Sequence, residues 1–69
     1  MHEYEIRVLG ADRGLVLSVW EMQFTPRAAI RSGHHHACRL GFEVWRDDVR
    51  IYSQSAQPNR RLRLPRRPL

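Results

Sequence analysis

Three consecutive histidines and the only cysteine of the chain lie close together, at His34, His35, His36 and Cys38. On a helix, His34 and Cys38 would share a face and could supply two ligands to zinc or another borderline metal. Structural zinc sites usually have about four protein ligands, and the sequence offers no second cysteine and only one further histidine, His2. We interpret the histidines as helix-surface residues and expect no metal or cofactor. A metal shared between two chains is the alternative.

Catalysis is not indicated by the other reactive side chains. A nucleophile needs an oriented base and a group that stabilises the developing charge, and no such trio occurs at a recognisable spacing. Gly10 and Gly14 do not lead into a helix, so they do not resemble a phosphate-binding loop. We therefore predict that the protein is not an enzyme.

The segment 42–53 predicts a tight hairpin, because two β-rich runs flank Asp47 and Asp48. With these two aspartates as the turn, Trp45 faces Arg50 and Val44 faces Ile51. The buried face would then hold Phe42, Val44, Val49 and Ile51. The other face would hold Glu43, Trp45, Arg50 and Tyr52, joined by Glu5 and Arg7 from the first strand.

This second face predicts an interaction surface. Trp, Tyr and Arg dominate the energetic centres of protein interfaces, which makes Trp45, Tyr52, Arg50 and Arg7 the interface candidates. A core this small also favours a partner, since chains of this length bury only about 60% of their unfolded surface. We predict a protein-interaction module or a homodimer that uses this face. A local cation–π pair between Trp45 and Arg50 is the alternative.

The charge is unevenly distributed along the chain. Residues 1–55 contain seven arginines and seven acidic residues, so the net charge of +5 belongs to residues 56–69. That segment also contains three of the four prolines and none of the aromatic residues. This composition is typical of disorder. We predict a compact domain over residues 1–55 and a disordered Arg/Pro-rich tail over residues 56–69.

The tail suggests a second function, from a different class. Arginines that neutralise phosphates give salt-dependent, sequence-independent binding to RNA or DNA. No aromatic residue lies among them to stack on bases, so we expect such binding to be weak. The candidate residues are Arg60, Arg61, Arg63, Arg66 and Arg67 in the tail, with Arg27 and Arg31 on the basic helix face.

The residues before the helix predict two strands. Residues 4–9 alternate with period two, which directs Tyr4, Ile6 and Val8 to the core. Residues 10–14 predict a turn whose glycines could adopt positive φ. Residues 15–24 are β-rich but alternate imperfectly, so we expect a bulge or an end that leaves the sheet. One face of this strand would hold Leu15, Leu17 and Val19, and the other Trp20, Met22 and Phe24.

A helix is predicted to follow, with Thr25 as its N-cap, Pro26 in its first turn and Gly41 as its stop. An alternative is a helix that breaks at Ser32-Gly33. The predicted buried stripe is Ala29, Ile30, Gly33, Ala37 and Leu40. The resulting order is β-β-α-β-β, an α+β fold with one helix on one face of a small, mostly antiparallel four-stranded sheet.

The chain resembles a group of short bacterial proteins without an established activity. They share an N-terminal strand with a leading Tyr, a turn containing Asp and Gly, an Ala-rich helix and an E-V-W strand that ends in a basic hairpin. The resemblance implies a compact domain over about residues 4–52, and the His34–His36 run departs from it. The matching residues are Tyr4, Ile6, Leu9, Asp12, Gly14, Ala28, Ala29, Glu43, Val44, Trp45 and Arg50.

The sequence offers no targeting signal. Residues 1–7 contain neither a basic region nor an apolar run of the kind that begins a secretory signal. No apolar run approaches the roughly 20 residues that cross a bilayer. We expect a cytoplasmic protein that does not associate with membranes.

Overall fold

The computed structural model of the chain describes residues 1–56. Four strands and one helix follow one another as β-β-α-β-β, which confirms the predicted α+β order. The strands form one antiparallel sheet in the order β2-β1-β3-β4, and the helix packs on one face. Apart from Ala56, the predicted tail lies outside the described residues. The elements are β1 (His2–Leu9), β2 (Leu15–Gln23), α1 (Pro26–Ala37), β3 (Gly41–Arg46) and β4 (Val49–Gln54).

The core lies between α1 and the two central strands. The alternation of β1 directs Tyr4, Ile6 and Val8 towards the helix, and each is at most 1% exposed. Phe42 and Val44 of β3 are fully buried beside them, because β3 pairs with β1 in antiparallel register. Two small residues of α1, Ala29 and Ala37, complete the core.

The two hairpin turns differ in how they reverse the chain. Asp47 and Asp48 have φ values of 51° and 65°, and Arg46 pairs with Val49, so the predicted two-residue turn is confirmed. In the first turn, the residue with positive φ is Arg13 rather than either glycine. The Asp12 side chain makes this possible, because its Oδ1 accepts the backbone N–H of Gly14 at 2.8 Å.

One extra residue interrupts the pairing in each hairpin. Val8 pairs with Leu17 while Leu9 pairs with Leu15, which leaves Val16 as the bulge expected in β2. In the second hairpin Trp45 pairs with Arg50, but Val44 pairs with Tyr52 rather than with Ile51. The predicted Val44–Ile51 pairing is therefore wrong. Because side chains alternate between faces, this bulge reverses the direction of every later side chain in β4.

The helix begins as predicted and ends earlier. The Thr25 Oγ1 accepts the backbone N–H of Ala28 at 3.1 Å, and Pro26 is the first helical residue. Cys38, with φ of 57°, ends the helix, so the stop at Gly41 is wrong. Gly41 serves the sheet instead, since a Cβ there would lie 2.9 Å from the carbonyl oxygen of Gln54.

The helix continues through Gly33, so the alternative break at Ser32-Gly33 is wrong. The Phe42 ring lies against Gly33, where a Cβ would be 2.4 Å from the ring Cε2 atom. Glycine therefore lets the helix approach β3 closely. Leu40, predicted in the buried stripe, lies beyond the end of the helix and is 37% exposed.

Candidate protein-interaction surface

The sheet face turned away from α1, called the open face below, is built from the alternate residues of all four strands. Because Tyr4, Ile6 and Val8 point to the helix, the residues between them point to the open face. Strand pairing then places side chains side by side in two rows. One row is Trp20, Glu5, Trp45 and Arg50, and the next is Ser18, Arg7, Glu43 and Ser53.

Trp45 is held at the middle of this face by two residues of the neighbouring row, Arg7 and Glu43. The Arg7 guanidinium lies over its ring, 4.3 Å from the centroid. The indole Nε1–H donates to Glu43 Oε1 at 2.9 Å, and Arg50 Nη1 donates to Glu43 Oε2 at 3.2 Å. The cation–π partner of Trp45 is thus Arg7, while Arg50 forms an ion pair with Glu43. A half-buried, oriented indole remains at the surface.

Four charged residues around Trp45, namely Glu5, Arg7, Glu43 and Arg50, are paired within the open face. Arg7 Nη2 lies 3.0 Å from Glu5 Oε1, and the Ser18 hydroxyl donates to Glu5 Oε2 at 2.8 Å. The Arg7 hydrogen bond, followed by that of Ser18, outweighs partial burial and lowers the pKa of Glu5 below its ordinary value. The same pair raises the pKa of Arg7. The face therefore presents neutral ion pairs around an aromatic centre.

Three of the four interface candidates come together on the open face, and the fourth does not. Trp45, Arg7 and Arg50 are neighbours there. Tyr52 lies on the helix side, where its ring is 5.6 Å from that of Phe42 and its hydroxyl donates to Gln54 at 2.8 Å. Its predicted place beside Trp45 is wrong, because the bulge at Ile51 reverses the faces of β4.

Trp20 belongs to the open face and was absent from the predicted set. It lies directly opposite Glu5 and is 61% exposed. The β2 pattern did separate Trp20 and Met22 from Leu17 and Val19. Only the pairing with β1 shows that the Trp20 side faces away from the helix.

A shallow recess lies beside the aromatic centre. It has a volume of about 350 Å³, and both Arg7 and Glu43 contribute to its wall. The turn residue Arg13 of the first hairpin also lines it. The remaining lining residues are Glu5, Leu9 and Leu15.

The predicted metal candidates have separate surroundings. The His34 ring lies edge-on to Phe42, with centroids 4.9 Å apart. Cys38 is exposed, and its thiol lies 3.9 Å from the carbonyl oxygen of His35. Over residues 1–56, no three side chains of His, Cys, Asp or Glu are grouped so that they could hold a metal ion.

His36 instead joins a polar cluster around Glu21 that the sequence patterns did not reveal. Its Nε2 lies 2.6 Å from Glu21 Oε2. Glu21 Oε1 accepts the Ser32 hydroxyl at 2.6 Å and the Gln23 amide at 2.9 Å. The Ser32 hydrogen bond is the largest cause of a lowered pKa at Glu21. The cluster ties the outer strand β2 to α1.

The nucleic-acid candidates are divided between described and undescribed residues. Arg27 and Arg31 are exposed on α1, one turn apart. The first turn of α1 contains no acidic residue. The five tail arginines, Arg60, Arg61, Arg63, Arg66 and Arg67, lie outside the described residues.

Comparison with protein families, with curated proteins and with solved structures finds no match for this chain. Within residues 1–56, the helix is too short and too polar to cross a lipid bilayer. The properties of the open face are therefore the basis for a functional proposal.

Proposed function

We propose that the protein is a non-catalytic interaction module that binds another protein through the open face. The observation that carries this proposal is the Trp45 indole, oriented by Arg7 and Glu43 at the centre of a sheet face that no other described element covers. Trp and Arg side chains near the centre of a contact contribute much of its binding energy. The proposed contact centre is Trp45, Arg7 and Trp20.

The fixed geometry of Trp45 favours binding. A side chain that is already held loses little conformational freedom when a partner covers it. Arg7 is paired with Glu5 and Arg50 with Glu43, so a partner that covers these four residues does not bury an isolated charge among them. The recess beside Arg7 and Glu43 offers space for one side chain of the partner.

Two carboxylates of this face, Glu5 and Glu43, support the non-catalytic part of the proposal. Glu5 is held by Arg7 and Ser18, and Glu43 by Trp45 and Arg50. The pKa of Glu5 is lowered, which is the opposite of what a general base working near neutral pH requires.

The test compares three immobilised full-length proteins: wild type, Trp45→Ala and His35→Ala. We expect a specific protein to be retained by wild type and by His35→Ala, whose change lies on the exposed surface of α1. For the purified partner, Trp45→Ala should raise the Kd about 30-fold or more, as for an interface hot spot of about 2 kcal/mol. Calorimetric titration measures the Kd, and circular dichroism verifies that each variant is folded.

Two further outcomes bear on the proposal, the first on the identity of the partner and the second on whether the open face binds a protein at all. If light scattering shows a wild-type dimer that Trp45→Ala alone dissociates, the occupant of the open face is a second copy of the chain. If Trp45→Ala is folded and retains every protein that wild type retains, the proposal is wrong.

We propose weak nucleic-acid binding as a second candidate function, supported by the exposed Arg27 and Arg31 on a helix whose first turn has no acid. A labelled single-stranded RNA, followed by fluorescence anisotropy, should bind more weakly as salt rises. Replacing the five tail arginines with alanine should flatten this dependence, and Arg27→Ala with Arg31→Ala should flatten it further. Affinity that does not change with salt would contradict electrostatic binding.

A further inference from the structure

Strand β2 forms one edge of the sheet, and its outward backbone groups can be identified. The two-residue turn makes Arg46 and Val49 a hydrogen-bonded pair. Backbone N–H and C=O groups alternate in direction from one residue to the next along a strand. Following this alternation from Arg46 through β3 and then through β1 shows that the backbone groups of Tyr4, Ile6 and Val8 point towards β2. The N–H of Gly10 donates to the Gly14 carbonyl, in agreement with this alternation. In β2, the N–H and C=O groups of Ser18, Trp20 and Met22 therefore point outward.

The side chains of this edge are unusually apolar. Edge strands of soluble proteins commonly carry Lys, Pro or other charged residues that prevent pairing with another chain. The only charged residue in β2 is Glu21, and its carboxylate is held by Ser32 and His36 of α1 in the same chain. Large apolar side chains are exposed along the strand and just after it: Leu15, Val16, Leu17, Trp20, Met22 and Phe24.

We propose that two copies of the chain pair through antiparallel β2 strands and form one continuous eight-stranded sheet. Beyond the bulge at Val16, the pairing of β2 with β1 is regular from Leu17 to Gln23. Trp20 is the midpoint of this regular stretch. A twofold axis at Trp20 places it opposite Trp20 of the partner subunit and places Ser18 opposite Met22 of the partner subunit.

A second copy fits this edge for three reasons. The axis at Trp20 aligns outward backbone groups of one strand with the same groups of the other, as hydrogen-bonded antiparallel pairs require. It separates the two Glu21 carboxylates, which an axis at Glu21 would place directly opposite each other. The formal charge of residues 1–55 is zero, so the paired sheets do not repel one another through net charge, and the +5 of each chain belongs to residues 56–69.

This pairing would join the two open faces into one surface. The row that contains both tryptophans would run from Trp45 through Glu5 to Trp20 and would continue through the same residues of the partner subunit in reverse order. The inference rests on the edge of the sheet, not on the proposed function, and it holds whether or not the open face binds a protein.

The test uses proline at matched positions on the two edges. Ser18→Pro removes an outward N–H from β2 without removing a hydrogen bond to β1, and proline is tolerated at such edge positions. Ser53→Pro makes the same change on β4, the opposite edge. Ser18→Ala controls for the lost hydrogen bond to Glu5. Size-exclusion chromatography with light scattering measures the mass at ~100 μM chain, a concentration at which a Kd of ~1 μM gives mostly dimer.

We expect dimers for wild type, Ser18→Ala and Ser53→Pro, and a folded monomer for Ser18→Pro. A monomeric wild type, or a Ser18→Pro variant that is still a dimer, would overturn the proposal. Should Ser18→Pro not fold, amide exchange of wild type decides. The Trp20 and Met22 amides must be protected at high concentration and become exposed on dilution, and amides that exchange fast at every concentration would refute the pairing. A stable complex of unequal chains, in which a β-strand of a different protein pairs with β2, would also overturn the proposal.

Discussion

Replacing Phe42 with alanine is expected to lower the free energy of unfolding by about 3–5 kcal/mol. The ring is fully buried and contacts Gly33 of the helix, the His34 ring and the Tyr52 ring. Small domains are stable by only about 5 kcal/mol or little more, so this change should leave much of the protein unfolded at room temperature. Urea unfolding followed by circular dichroism measures the loss.

The same contact can be tested from the helix side. Gly33→Ala should gain about 1 kcal/mol from helix propensity, but the new Cβ would lie 2.4 Å from the Phe42 ring. Overpacking of this kind costs about 1–3 kcal/mol, so we expect a net loss of stability. Adding Phe42→Leu should reduce that loss, because the smaller side chain frees the space. If Gly33→Ala stabilised the protein by about 1 kcal/mol, the close approach of helix and sheet would be disproved.

Glu21→Ala is expected to lower the free energy of unfolding by about 1.5–3 kcal/mol, the usual range for hydrogen bonds to a charged group. The carboxylate accepts bonds from Ser32 and Gln23 and lies beside His36. These contacts join β2 to α1. Glu3→Ala is the matched control, since Glu3 is exposed on the neighbouring strand and its loss should change stability by less than about 0.5 kcal/mol.

The contribution of Glu21 should depend on pH. Its folded-state pKa is lowered from 4.5, chiefly by the Ser32 hydrogen bond. A lowered pKa means that folding favours the charged form, so the contribution is complete above pH 4.5 and is lost as the pH falls through the folded-state pKa. The stability difference between wild type and Glu21→Gln should therefore shrink on acidification. A difference that is the same at neutral pH and at pH ~2.5 would show that the charge has no part in it.

The pKa of Glu5 is also lowered in the folded state, so Glu5 serves as a comparison for the pH dependence of Glu21. Its pKa is lowered mainly by Arg7 on the open face, whereas that of Glu21 is lowered by contacts on the helix side. Wild type should lose both contributions in acid. The Glu21→Gln variant should still show the part of this acid-induced loss of stability that comes from Glu5.

Local chemistry, which can be read from the sequence, determined the element types and several of their starts. The alternation of Tyr4, Ile6 and Val8 identified the buried face of β1. Thr25 and Pro26 begin the helix because a side-chain oxygen and a preset φ act within one turn. The two aspartates at 47 and 48 accept positive φ locally. Such features depend on neighbouring residues, so no knowledge of the rest of the fold was needed.

The ends of elements depended on more distant contacts. Gly41 has the residue type of a helix stop, yet it begins β3 because the backbone near Gln54 leaves no space for a Cβ. Gly33 has the residue type of a helix breaker, yet it lies inside α1 because the Phe42 ring needs that space. In both cases the partner is at least nine residues away, beyond the reach of local propensity.

The composition of the candidate site was determined by the sequence only in part. Sequence reasoning placed Trp45, Arg7 and Arg50 on one face, but it also placed Tyr52 there. A one-residue bulge at Ile51 moves Tyr52 to the opposite side of the sheet. Because side chains alternate between the two faces, a single extra residue exchanges the faces of all the residues that follow it in the strand. Trp20 joins Trp45 only through the pairing of β2 with β1, and β2 is an edge only because β3 pairs on the other side of β1. The sequence determined which side chains could form an interaction surface, and the tertiary structure decided which of them lie together, because strand register and strand order depend on pairing across the whole sheet.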